Sequence, residues 1–217
     1  MPLLTRLRYL PYRITRRILT LNISCFLEAR IESIQSEALP ADYQFEWLTV
    51  ARLSELLENP EHSISDAWKP LLEIHQAECV VVLADEVVVG LAGVKAGMIS
   101  GELNHDGDLR TMLPLELPAD MAYLFGVHVV PRYRGKRLYA AMVSLIAERV
   151  SNCGGKRLLL TTEYSNFRAL KSVQRMGFRQ IGRVVLVRAG RICWANYPNE
   201  NQIGDIRVGR YAGDISA

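Results

Sequence analysis

The chain has 217 residues, 49% apolar and 23% charged, with 26 basic side chains against 23 acidic ones. That suits one globular domain with extensions, and a net charge of +3 is too small to argue for nucleic acid. No apolar run approaches the roughly 20 residues a bilayer span needs. Cys25, Cys79, Cys153 and Cys193 show no C-x-x-C or metal spacing, so they read as reduced cytosolic thiols and no metal is expected.

Charge is unevenly placed. The first 27 residues carry Arg6, Arg8, Arg13, Arg16 and Arg17 and no acid, interleaved with leucine, isoleucine and tyrosine. This basic amphipathic extension, taken as residues 1–35, suits an anionic membrane surface or an acidic partner. A helix packed on the domain with its arginines in solvent is the alternative, and an organelle transit peptide a further one. A secretory signal would need a continuous apolar core. The expected location is the cytoplasm, either free or peripheral on the inner membrane surface.

A first strand is expected at 44–49, after Leu39-Pro40, and a short helix at Val50–Leu57, ended near Asn59-Pro60. Ser63-x-x-Asp66 offers a capping box for a second helix carrying Trp68, Leu71, Leu72 and Ile74. Residues 79–83 and 87–91 flank Ala84-Asp85-Glu86 as a hairpin. From 97 to 120 a longer loop carries His105, Asp106 and Asp108, which can receive a cationic amine or simply be solvated. Residues 122–130 read as a central apolar strand. It stops at Pro131 and enters Arg132-Tyr133-Arg134-Gly135-Lys136-Arg137. A helix follows with Leu138, Met142, Leu145, Ile146 and Val150 on one face, ended by Gly154-Gly155. A strand at 157–162, a helix at 166–176 and a hairpin at 178–194 come next. The tail from Asn196 is expected to be mobile.

An apolar strand that turns through a basic glycine loop into a helix presents N–H groups and cations at a helix N-terminus. The expected anion is a phosphate or pyrophosphate; an ordinary solvated turn is the alternative. Val129-Val130-Pro131, Arg132-x-x-Gly135-x-Arg137, Asn166-x-x-Ala169 and Gly177-Phe178 together resemble the signature of the GNAT superfamily of acyl-CoA-dependent N-acyltransferases. The match is densest over 120–180. Two positions depart: Arg137 stands where the family carries glycine or alanine, and Val173 where it usually carries tyrosine.

The resemblance implies an α+β fold over residues 36–197, a central mixed, mostly antiparallel twisted sheet flanked by helices, with a tail at 198–217. It implies acetyl-CoA as acyl donor and a primary amine of a small molecule as acceptor. Direct attack in a ternary complex is expected, since no cysteine sits at a nucleophile motif. Implied cofactor contacts are the backbone of Val127 and Val129 for pantetheine, and the N–H groups of Arg134, Gly135, Lys136, Arg137 and Leu138 for pyrophosphate. Arg132 or Lys136 would add charge, and Asn166 would touch pantetheine, cap its helix, or do both. The family's tyrosine usually protonates the departing thiolate. Val173 cannot, and Ser172 points about 100° away around the helix. A thiol of pKa near 8.5 can leave unaided, to be protonated by water.

Tyr123 and Phe125 share strand parity with Val127 and, by the register the resemblance implies, are expected to face the acceptor. Tyr123 is the orienting candidate. Glu163 is the candidate base, with a surface glutamate as the alternative, and His128, of opposite parity, is expected in the core. The last helix and the basic N-terminus are similar to family members associated with bacterial surface-polysaccharide synthesis, which implies an amino-sugar acceptor. Two further readings are a longer acyl chain from an acyl carrier protein docked on the N-terminal arginines, and a CoA-binding module without turnover.

Overall fold

Valine runs on either side of Asp85-Glu86 build the hairpin that organises the first half of the fold. The computed structural model describes residues 20–73, 77–104, 113–189, 192–196 and 202–209. Strands β3 (Glu78–Ala84) and β4 (Val87–Ala96) pair antiparallel, with Val81 opposite Leu91. Asp85 and Glu86 take positive φ, 49° and 63°, which a two-residue turn matched to strand twist requires. β2 (Gln44–Trp47) adds to the free edge of β3, and β7 (Met121–Val129) to that of β4. β8 (Arg157–Glu163) runs parallel to β7 over Met121–Tyr123. The sheet is mixed and mostly antiparallel.

Helices cover both of its faces. A Cβ on Gly93 would meet Trp68 of α2 (Trp68–Glu73) at 2.6 Å, whereas one on Gly90 would meet Met142 of α3 (Leu138–Asn152) at 3.5 Å. Odd and even positions of a strand point to opposite faces, so α2 and α3 lie on opposite sides. Before α2 comes α1 (Val50–Leu57), capped by Thr49, whose hydroxyl accepts from the Arg52 N–H at 3.2 Å. The capping box expected of Ser63 does not form. Ser65 accepts from the Ala67 N–H at 3.2 Å instead, and the Ser63 N–H goes to the Val88 carbonyl. Ile74 lies outside the described residues.

The elements named so far, β8 only as far as Leu159, belong to one compact unit, Ala29–Gly97 with Ala119–Leu159. A second unit takes the described remainder, including β8 from Leu160 onward. Its main sheet has the order β10-β9-β1-β8. β1 (Thr20–Arg30) pairs antiparallel with β9 (Arg179–Ala189) from Thr20 opposite Arg188 to Glu28 opposite Arg179, and β10 (Ile192–Asn196) closes the outer edge. Helix α4 (Phe167–Arg175) precedes β9. A smaller sheet joins β5 (Met98–Ile99), β6 (Leu115–Glu116), β12 (Ile206–Val208) and β11 (Gln202–Ile203).

Three expectations are corrected here. The first strand is β1, not the segment at Gln44. Asn22, Ser24, Cys25, Phe26 and Leu27 are all buried, so both faces of β1 are covered and no alternation betrays it. The arginines before it, in residues 1–19, lie outside the described residues. The 97–120 segment contains β5 and β6, with Asn104 joining its two arms: the Asn104 amide donates to the Leu113 carbonyl at 2.7 Å. His105, Asp106 and Asp108 lie outside the described residues. The tail is not uniformly loose. Gly204 turns at φ 63° and Ile203 and Ile206 are buried, because Ile203 packs against Gly182 of β9.

Candidate functional site

β7 is buried from Met121 to Phe125 and then opens. Gly126 and His128 are exposed, and Val127 and Val129 half-buried. One extra residue marks the change. Leu91 lies opposite His128 and Gly93 opposite Phe125, so β7 takes three steps where β4 takes two. Gly126 absorbs the extra step at φ 59°, a glycine bulge in the left-handed region. Trp68 would also crowd a Cβ there, at 3.1 Å.

The bulge overturns the parity argument. Residues opposite one another on paired strands share a face. Phe125 and His128 therefore fall with Leu91 and Gly93 on the side of α2, and Val129 falls with Gly90 on the side of α3. Val127, two residues before Val129, goes with it. So Tyr123 and Phe125 do not share a face with Val127, and His128 is not a core histidine. A glycine inside a strand pattern is the signal that gives this away.

Tyr123 is 2% exposed and stacks on Phe125 at 6.3 Å, and Phe125 on Trp68 at 5.5 Å. Their rings close over Gly93, where a Cβ would come within 2.6 Å of both Phe125 and Trp68. Tyr123 thus stands in an aromatic wall before the bulge. Glu163 lies in the second unit at the end of β8, 6% exposed, which removes the surface alternative. Its carboxylate accepts from the Ser165 N–H at 3.1 Å and from the Ser165 hydroxyl.

Beyond Val129 the ladder ends with the Val130 N–H on the Val89 carbonyl at 2.9 Å. Pro131–Tyr133 is a single 3₁₀ turn that uses the N–H groups of Tyr133 and Arg134. Gly135 and Arg137 then take φ 85° and 59°, and α3 starts with no side-chain cap. Its first N–H groups have no carbonyl four residues back, so they face out of the turn as anion donors. Arg137 is a helix N-cap in the left-handed region, at a cost of about 1 kcal/mol to a residue with a Cβ. The family's glycine would avoid that cost.

The four cations of the turn divide into pairs. Arg137 meets Glu37 at 3.1 Å, and Arg134 donates from Nε to the Val129 carbonyl at 3.0 Å. Arg132 lies 4.9 Å over the Tyr133 ring, and the Lys136 ammonium 5.5 Å from the rings of both Tyr43 and Tyr133. A hydrogen bond to Tyr43, then the attraction of the same group, raises the Lys136 pKa. Leu138 is buried at the first turn of α3.

In the second unit the Asn166 Oδ1 accepts from the Ala169 N–H at 3.3 Å, the N-cap role. Val173 is fully buried and Ser172 half-buried. A tyrosine at 173 would therefore overpack the core. Val173→Tyr is expected to destabilise by about 1–3 kcal/mol, read by thermal unfolding, while Ser172→Ala leaves both stability and turnover within a few-fold. A Val173→Tyr protein that melts with the wild type and turns over faster would refute the packing argument. Cys25 and Cys79 are buried free thiols and Cys153 an exposed one; burial pushes the Cys79 thiol up to about 12. Among the described residues no His, Cys, Asp and Glu group could hold a metal, and no helix is long and apolar enough to cross a membrane.

Residues 42–178 match the acetyltransferase (GNAT) family. No curated protein matches the chain. Among solved structures, a Drosophila protein is similar at TM-score 0.53 and 8% identity, covering 85% of this chain and 56% of its own. A GCN5-related N-acetyltransferase from Kribbella flavida is similar at 0.50 and 14%, with 84% and 64% covered. An aminoglycoside N-acetyltransferase in complex with CoA follows at 0.47 and 16%, with 64% and 94% covered. The chain spans less than two thirds of the length of the first two, and at these identities the likeness is one of fold. With more than half of its length inside the family match, the chain belongs to the acetyltransferase (GNAT) family.

Proposed function

We propose that the protein transfers an acetyl group from acetyl-CoA to a primary amine of a small molecule in a single ternary complex. The observation that carries this reading is the uncovering of β7 at Gly126. A half-exposed strand backbone there leads straight into a turn of outward N–H groups. Pantetheine would lie along Val127 and Val129, and pyrophosphate on the N–H groups of Gly135 to Leu138. Arg132 and Lys136 add side-chain charge. Arg134 and Arg137, whose side chains are engaged, contribute through their backbone. Asn166 enters the proposal by family position alone, as a pantetheine contact, and Glu163, at the end of β8, as one candidate for the base. Tyr123 enters as a residue of the aromatic wall that shapes the acceptor side.

Acyl transfer needs a held thioester, a neutral amine beside it and donors for the oxyanion. A backbone N–H at Val127 would serve as such a donor, and the thiolate leaves without a dedicated acid. An amino sugar is the first acceptor class to try. Thiol release from acetyl-CoA, measured over a panel of amines including glucosamine, tests the reading. Release well above hydrolysis with at least one amine is expected. CoA binding without release across the panel would leave a binding module and overturn the enzyme.

A further inference from the structure

We infer that His128 is the base that takes the proton from the acceptor amine; this rests on the acyl-transfer reading above. The bulge at Gly126 turns His128 onto the side of Phe125 and Trp68 and leaves it exposed. Its backbone neighbour is Val127, where the proposed thioester lies. Trp68 covers Gly126, and the imidazole stands two residues further along the strand, past the aromatic wall. Its side chain makes no hydrogen bond or ion pair among the described residues. A neutral imidazole carries a ring-nitrogen lone pair that can accept a proton.

The other titratable groups of this face are more remote. Tyr123 and Lys95 form the pair at the far end of the row, four residues of β4 and about 13 Å along the strand. Tyr123 is also sealed in the wall. On α2, Lys69 and Glu73 pair with each other at 3.8 Å, and His62 accepts the Val88 N–H through Nδ1 at 3.1 Å. The chemistry balances without a further reagent. The acceptor ammonium gives one proton to His128, and the freed lone pair forms the C–N bond at the thioester carbon. Collapse of the adduct breaks the C–S bond, and the second amine proton passes through water to the thiolate. The imidazolium returns its proton to solvent.

The test uses the full chain with glucosamine, or whichever amine of the panel the wild type acetylates. In His128→Gln, kcat/KM at pH 7 falls about a hundredfold and the acidic limb of its pH profile disappears. CoA affinity by calorimetry stays within twofold, and added imidazole partly restores His128→Ala. A His128→Gln enzyme within threefold of wild type, with the limb intact, overturns the proposal. So does loss of the limb in Glu163→Gln alone. A wild type that binds no CoA fails the underlying reading instead, before the base is in question.

Discussion

Removal of residues 2–27 is expected to abolish the cooperative unfolding transition, whereas removal of 2–19 leaves it in place. The longer deletion takes all of β1 except Glu28, Ala29 and Arg30. β1 lies between β8 and β9, so two ladders lose their partner at once. Cys25, Phe26 and Leu27 are each fully buried; Phe26 and Leu27 together stabilise by about 3–6 kcal/mol. Total stability for a domain is of order 5–15 kcal/mol, and the ladder loss comes on top. Thermal denaturation followed by circular dichroism decides it: a 28–217 chain melting at the wild-type temperature would remove β1 from the core. The shorter deletion also isolates the arginines, all five of which lie in residues 1–19. If they bind anionic lipid, at up to about 1 kcal/mol each, the 20–217 chain stays folded and no longer sediments with acidic liposomes at low salt.

Gly135→Glu is expected to weaken CoA binding at least tenfold, roughly 1.4 kcal/mol, and to cost about 1–2 kcal/mol of stability. A Cβ at Gly135 would meet nothing within 4 Å, so the protein has room for the side chain. The stability cost comes from φ, 85°, a region costly to any residue with a Cβ; the affinity loss comes from a side chain and carboxylate standing where pyrophosphate must approach the N–H groups. Gly135→Ala carries the strain without the charge and should fall between. Calorimetry of the three proteins checks the order. Equal affinity in wild type and Gly135→Glu would move the phosphate site away from this turn.

The turn, the helix behind it and the β3–β4 hairpin were legible because their signals are local: proline and glycine punctuation, a helical apolar stripe, and two short valine runs around Asp85-Glu86. What escaped depends on partners distant in sequence. The side of the sheet that His128 faces is decided by which residue of β4 it meets, and a strand counted alone cannot show an inserted step. The glycine at 126 was the available hint. Arg137 finds its partner in Glu37, a hundred residues away. β1 was hidden for a different reason, being covered on both faces beside a segment whose arginines drew attention first. Val173 read only as a missing hydroxyl; its burial shows that the helix spends this position on the core.

The pairing of Thr20 with Arg188 and of Leu21 with Val187 sets the order of events at the ribosome. Among the described strands β1 is made first, and its partner β9 only after seven others. At synthesis rates of 5–20 residues per second, an interval on the order of 10–30 s separates them. For most of that interval, until β8 is made, Phe26 and Leu27 have no strand to lie against. Such long-range pairing folds slowly and leaves an apolar edge open to wrong partners. A chain with this pairing therefore has to keep β1 from wrong partners until β8 and β9 have been made.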